Sequence, residues 1–155
     1  MGTWEPYIRG YRAYLQLEKS LSAHSVDAYT NDIRKLVQYF EAIRVDVPPQ
    51  QVEPQQIRDF IAWINGLGLE VRSQARIISG IKGFFNYLIL ENEISHNPAA
   101  LIEAPRLSRK LPQVLTIQEI DQIMEAIDLS KSDGHRNRAM IETLYGCGLR
   151  VSELV

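Results

Sequence analysis

The chain has 155 residues, 45% hydrophobic and 23% charged, with a formal net charge of −2. That composition is globular, with room for one domain or two small ones, and it excludes a disordered chain. No apolar run approaches the ~20 residues a bilayer crossing needs, and Met1–Tyr11 has no basic segment followed by a hydrophobic block. The expectation is a cytoplasmic protein without a membrane role. Cys147 is the single cysteine, so neither an internal disulfide nor a metal cluster is expected. The near-neutral charge gives no global sign of a polyanionic partner, and any such case must rest on local charge.

Apolar spacing is helical nearly throughout, and no stretch alternates with a period of two, so the fold class is all-α. A first helix is expected over Glu5–Leu17, with Tyr7, Tyr11, Tyr14 and Leu15 on one face. Ser22 caps a second helix whose stripe is Val26, Tyr29, Ile33, Leu36, Val37 and Phe40. Pro48 and Pro49 end that pattern. Pro54, at a first helical position after Glu53, opens a third helix carrying Ile57, Phe60, Ile61 and Ile64, which Gly66 and Gly68 close.

The fourth helix is expected from Arg72 to Glu91. On a wheel of about 100° per residue with Arg72 at the origin, Ile77, Ile78, Ile81, Phe84, Phe85 and Leu88 fall between about 120° and 260°. Arg76, Ser79, Lys82, Gly83 and Asn86 lie on the opposite side with Arg72. That side joins three cations to small residues and carries no acid. Such a face lets a phosphate chain come close, because nothing long stands between. Gly80 and Gly83 each weaken a helix by about 1 kcal/mol relative to Ala, so close packing or close ligand approach must compensate.

"NPAALIEAPRLSRKLPQVLT" follows and reads as an extended connection, with Arg106, Arg109 and Lys110 unopposed by any acid between Ala104 and Thr116. Thr116 and Glu119 then form a capping box before the stripe Ile117, Ile120, Ile123, Met124 and Ile127. A loop over "DLSKSDGHRN" leads to a helix over Arg136–Tyr145, with Ala139, Met140, Ile141, Leu144 and Tyr145 expected inward and Gly146 or Gly148 as its left-handed cap. A further helix starts near Leu149–Val151. This second unit, about 40 residues, is too small to bury an adequate core, so the chain is expected to be the front portion of a longer protein.

The blocks "LSAHSVDAYTNDIRKLVQYF", "RSQARIISGIKGFFNYLILENEISHNPA", "RKLPQVLT" and "RNRAMIETLYGCGLRVSELV", in that order, resemble the tyrosine recombinase (phage integrase) family, most closely its Xer-type site-specific recombinases. The resemblance covers nearly the whole chain. It implies an N-terminal four-helix core-binding, SAM-like domain over residues 1–104, a basic linker over 105–115, and the first helices of a truncated catalytic domain over 116–155. The implied activity is cutting and rejoining DNA through a 3′-phosphotyrosyl intermediate, without metal or other cofactor. The implied partners are a double-stranded DNA recombination site and other recombinase subunits in a tetrameric synapse.

Arg150 matches the family's first catalytic arginine. Its residue type suits the role, since a planar, always-charged guanidinium can donate two parallel hydrogen bonds to a phosphodiester gathering charge under attack. Position at a helix start would add the N-terminal dipole. Glu153 falls in the same box as an expected supporting residue. A threonine is more usual in the family where Cys147 stands, and Cys147 is expected to be a small core residue. The rest of the catalytic set, nucleophilic tyrosine included, is expected beyond Val155, so these residues alone should not cleave DNA.

For DNA contact the expected residues are Arg72, Ser73, Arg76, Ser79 and Lys82 from the fourth helix, Ser25 and Tyr29 from the second, and Arg106, Arg109 and Lys110 from the linker. Tyr29 also completes a core stripe. Two other readings stay open: a helical protein–protein interaction domain with no DNA role, and a mobile-element integrase in place of a resolvase acting in chromosome partition and cell division. His24, His96 and His135 are scattered and read as surface or loop residues, not metal ligands.

Overall fold

The computed structural model describes residues 3–105 and 113–154. Seven α-helices and one 3-10 turn account for the regular structure, with no strand among the described residues, so the fold is all-α as expected. Two compact units are present, Met1–Ser108 and Arg109–Val155.

The first unit holds α1 (Glu5–Leu17), α2 (Ala23–Ala42), α3 (Pro54–Gly66) and α4 (Val71–Leu90), with the 3-10 turn Pro49–Gln51 after α2. Local chemistry sets the starts. The Ser22 hydroxyl accepts the Ser25 backbone N–H at 3.3 Å, and the Gln56 side chain accepts the Glu53 N–H at 2.8 Å as Pro54 opens α3. Stops rely less on glycine than the sequence suggests: Ser20, Arg44 and Asn92 take left-handed φ of 50°, 57° and 59° after α1, α2 and α4. In each case a backbone N–H just beyond reaches back into the last turn, as when Val45 donates to Phe40 O at 2.9 Å.

Helices α2 and α4 each touch all three other helices of the unit and pack most closely against each other. All six residues of the apolar arc of α4 are buried. Against them lie Ile33, Leu36 and Phe40 of α2 and Ile57, Phe60 and Ile64 of α3. Trp4, outside the spacing that marked α1, belongs to this core. Its ring stacks on Phe84 with centroids 6.0 Å apart, and its indole N–H donates to Val47 O at 2.8 Å, tying the start of α1 to the loop after α2.

Close packing explains the glycines of α4. A Cβ on Gly83 would stand 2.7 Å from the Tyr11 hydroxyl, and one on Gly10 would collide with the Tyr87 hydroxyl. The two helices thus exchange tyrosine tips into each other's glycines. Gly83 is therefore filled from inside the protein, a correction to its placement on an open phosphate-facing side. A Cβ on Gly80 would lie 3.1 Å from Asp32 Oδ2 and 3.2 Å from Asp32 Cβ on α2.

The stretch from Asn97 is not yet a linker. Ala99 and Ile102 are buried in the first unit, and Asn97 donates to Lys82 O at 3.1 Å and Asn86 Oδ1 at 2.7 Å. Residues 97–102 therefore cover the end of α4.

The second unit holds α5 (Ile117–Glu125), α6 (Gly134–Cys147) and α7 (Val151–Leu154). The capping box forms as expected: Thr116 N donates to Glu119 Oε2 at 2.7 Å and Glu119 N to Thr116 Oγ1 at 3.3 Å. These bonds hold the Glu119 carboxyl below its ordinary pKa. Helix α6 starts two residues before the expected Arg136, its first turn closed by Asn137 N–H donating to Asp133 O at 2.9 Å, and Gly134 packs under the Asp128 carbonyl where a Cβ would collide. Gly148 ends it, at φ 62°.

The inward face expected for α6 is not buried among the described residues. Ile141 and Leu144 are half-buried, whereas Ala139, Met140, Tyr145 and Cys147 are exposed. Tyr145, at 52% exposure, and Cys147 are thus corrected from core to surface. Three short helices offer too little surface to enclose them.

Gly80→Ala should lower stability by up to about 2 kcal/mol, since an overpacking cost of about 1–3 kcal/mol outweighs the helix-propensity gain of about 1 kcal/mol. At Gly66, where a Cβ meets nothing within 4 Å, the same change should instead stabilise by about 0.4–1 kcal/mol. Urea unfolding followed by Trp4 and Trp63 fluorescence checks both signs.

Candidate nucleic-acid interface

Arg72, Arg76, Ser79 and Lys82 run along one side of α4 and Ser73 lies at its edge, about 100° round from Arg72, with Arg72, Arg76 and Ser79 exposed and Ser73 and Lys82 half-buried. The neighbouring edge of α2 supplies Ser25 and Tyr29, both half-buried. Arg76 joins the two groups. Its Nη1 donates to Ala28 O at 3.3 Å and forms an ion pair with Asp32 Oδ2. Tyr29 lies along the same seam, its ring 3.4 Å from where a Gly80 Cβ would be. Ser25 is partly committed to the helix start through its bonds with Ser22.

The face is not acid-free, as its own helix suggested. Asp32 reaches it from α2 with a fully buried side chain. Its Oδ1 has no hydrogen-bond partner among the described residues, and Lys35 Nζ stands 3.8 Å away. Burial pushes the Asp32 carboxyl above its ordinary pKa, while the charges of Arg76 and Lys35 pull it back. Lys82 is engaged too, donating to Ala100 O at 3.1 Å. Arg72 has no ion-pair or hydrogen-bond partner among the described residues. The three cations therefore differ: one free, one anchored by an acid, one resting on a carbonyl.

Asp32 is the residue that sequence reasoning passed over. The available signal was an acid beside the apolar stripe of α2, together with an unexplained glycine in α4. Nothing in either helix alone pairs Asp32 with Arg76, 44 positions away.

In the second unit, Arg150 stands between the Gly148 cap and α7. Glu153 holds it twice, accepting the Arg150 backbone N–H at 2.8 Å and its Nη1 at 3.1 Å. The arginine side chain is 83% exposed, and an ion pair that open contributes about 0–1 kcal/mol. Its effect is directional: the acid limits where the guanidinium points. Helix α7 has only four residues, so the dipole expected at Arg150 is weak. Arg106, Arg109 and Lys110 lie outside the described residues. Among the described residues, no group of three or more His, Cys, Asp or Glu is placed to hold a metal ion, and no helix is long and apolar enough to cross a membrane.

Residues 8–92 match the family model described as the phage integrase N-terminal SAM-like domain, and residues 113–155 match that of the phage integrase family. The chain belongs to the phage integrase, or tyrosine recombinase, family. Within it, the chain is similar to proteins named tyrosine recombinase XerD. That of Listeria innocua serovar 6a is 37% identical over 148 residues, 96% of this chain and 50% of the relative. That of Staphylococcus haemolyticus is 34% identical over 151 residues, 97% of this chain and 51% of the relative. The chain thus spans about half the length of these relatives. The fold resembles the integrase from mycobacterium phage Brujita, with a TM-score of 0.61 at 23% identity, over 96% of this chain and 47% of that one.

The raised pKa of Asp32 has a definite sign in stability. Between the ordinary carboxylate pKa and the raised folded one, the native state binds the proton that the unfolded chain has lost. Asp32 therefore makes stability fall as pH rises through that window. Asp32→Asn should flatten this slope, read as the difference between the two chains' urea midpoints across a pH series.

Proposed function

We propose that this chain is the DNA-binding front part of a site-specific tyrosine recombinase, which in its whole form cuts and rejoins DNA through a 3′-phosphotyrosyl intermediate. The proposed division is a core-binding domain over residues 1–104, a basic linker over 105–115 and the start of the catalytic domain over 116–155. The observation that carries the reading is the row Arg72, Ser73, Arg76, Ser79 and Lys82 on α4 beside Ser25 and Tyr29 on α2, with Arg76 across the seam. Cations separated by short side chains suit a phosphate backbone, which fixes position without reading sequence. Arg106, Arg109 and Lys110 would extend the contact along the linker. Similarity to the XerD-named recombinases at 34–37% identity supports the same reading and favours a resolvase over a mobile-element integrase. The whole protein would act with other recombinase subunits in a tetrameric synapse.

Arg150 is the proposed catalytic arginine, donating to the non-bridging oxygens of the attacked phosphate, and Glu153 is its positioning residue. The geometry suits this division, since among the described residues Glu153 engages Arg150 through Nη1 and the backbone N–H alone. No metal or cofactor enters the proposed reaction.

Binding to a duplex of about 30 base pairs, measured by anisotropy at several salt concentrations, tests the reading. Each phosphate neutralised contributes about −0.9 to the slope of log K against log salt. Arg72→Ala should weaken binding and make the slope shallower by about 0.9 with no loss of stability, because among the described residues that side chain makes no hydrogen bond or ion pair. Salt-insensitive binding, or none, from a folded chain would favour the helical interaction module instead. In the whole protein, Arg150→Ala should lower strand cleavage by at least about 10²–10³-fold, whereas Glu153→Gln should lose less and leave DNA affinity unchanged, as single-turnover cleavage would show.

A further inference from the structure

Asp32 is a buried acid beneath a surface read as binding an anion, and charge alone argues against it there. Its geometry supplies a reason. Arg76 makes both of its internal contacts, to Ala28 O and to Asp32 Oδ2, through the single nitrogen Nη1. Among the described residues its Nε and Nη2 have no hydrogen-bond partner, and its side chain remains 41% exposed. Arg72 is open but untethered, and Lys82 is tethered but is a point charge on a carbonyl. Arg76 combines a fixed guanidinium with an open edge.

We propose that Asp32 is a positioning residue of the DNA interface: by clamping Nη1 of Arg76 across the seam of α2 and α4, it presents the Nε–Nη2 edge as a two-pronged donor for one DNA phosphate. The inference rests on the DNA-binding reading above and adds how one contact is made. A guanidinium is planar, so holding one nitrogen against an acid and a carbonyl aims the opposite edge. The ordering is completed on folding, so less freedom is lost when the phosphate arrives. The close approach at Gly80 puts the acid within reach.

Lysine separates edge from charge. Arg76→Lys keeps a cation able to pair with Asp32 but offers no second edge. Asp32→Asn alone is ambiguous, because it also removes a negative charge near the DNA. That direct effect is shared by arginine and lysine at position 76, so a double-mutant cycle cancels it. Affinity for the duplex is measured at low salt for the native chain, R76K, D32N and the double variant, beside R72A. R76K should weaken binding about ten-fold, the worth of a bidentate charged contact, with the salt slope unchanged. In the D32N background the R76K loss should shrink to less than about two-fold. Equal R76K losses in both backgrounds, or none in either, overturn the positioning role even where R72A confirms DNA binding. Native binding that does not respond to salt overturns the DNA reading and this inference with it.

A measurement on the native chain stands apart from the folding of any variant. By ¹⁵N relaxation, the Arg76 Nε–H should be as rigid as the backbone before DNA is added, and its resonance should shift when duplex is added. A freely mobile Nε in the free chain, or an unmoved resonance at saturating duplex, overturns the proposal.

Discussion

The near-contact of Gly80 with Asp32 is the constraint on which the first unit's surface depends. A side chain at Gly80 would press on a carboxylate that has no free space, so the absence of a Cβ brings α4 against α2 with Asp32 enclosed. An enclosed carboxylate needs a cation, because the desolvation it suffers is otherwise uncompensated. Arg76, one helical turn before Gly80, supplies it. One packing decision thus sets helix spacing, buries an acid and places a guanidinium at the seam where the remaining cations of α4 emerge. The proposed interface would then be a by-product of how the helices close, with core and cation row varying together there.

Aromatic packing supports this arrangement from the other side. Tyr11 and Tyr87 lie with centroids 5.5 Å apart, each pushing its hydroxyl toward a glycine of the opposite helix. Burial raises the pKa of both phenols above the ordinary tyrosine value. Trp4 closes the same layer over Phe84 and Phe40. With α4 held by α1, α2 and α3 together, the cation row sits on a firmly packed element, where a recognition surface would lose little freedom on binding.

The second unit follows a different economy. Its local geometry is well formed, with a reciprocal capping box at Thr116 and a left-handed stop at Gly148, yet its apolar side chains stay largely open. Arg150 is correspondingly exposed. A guanidinium stabilises developing charge far more strongly in a water-excluded pocket than in solvent, so the proposed chemistry requires further structure around Arg150. Glu153 meets the part of the requirement that is local, since residues three apart on a helical turn face each other.

What could be read from the sequence was local. The helices, their starts at Ser22, Pro54 and Thr116 and the apolar arc of α4 follow from spacings of a few residues, because helical periodicity and capping act within one or two turns, whereas the Arg150 box was legible only as a family resemblance. What failed required partners far along the chain. Trp4 joined the core through Val47, Gly83 proved to be filled by Tyr11, and Arg76 proved to be paired with Asp32. Tyr145 and Cys147 were misplaced for a related reason, since an apolar stripe marks a face that can be buried and does not say that anything covers it. Local spacing was enough for an all-α chain with cations gathered on one side of α4. Which of those cations is anchored, and which has no partner among the described residues, depends on the packed fold, because the buried carboxylate that makes the difference arrives from another helix.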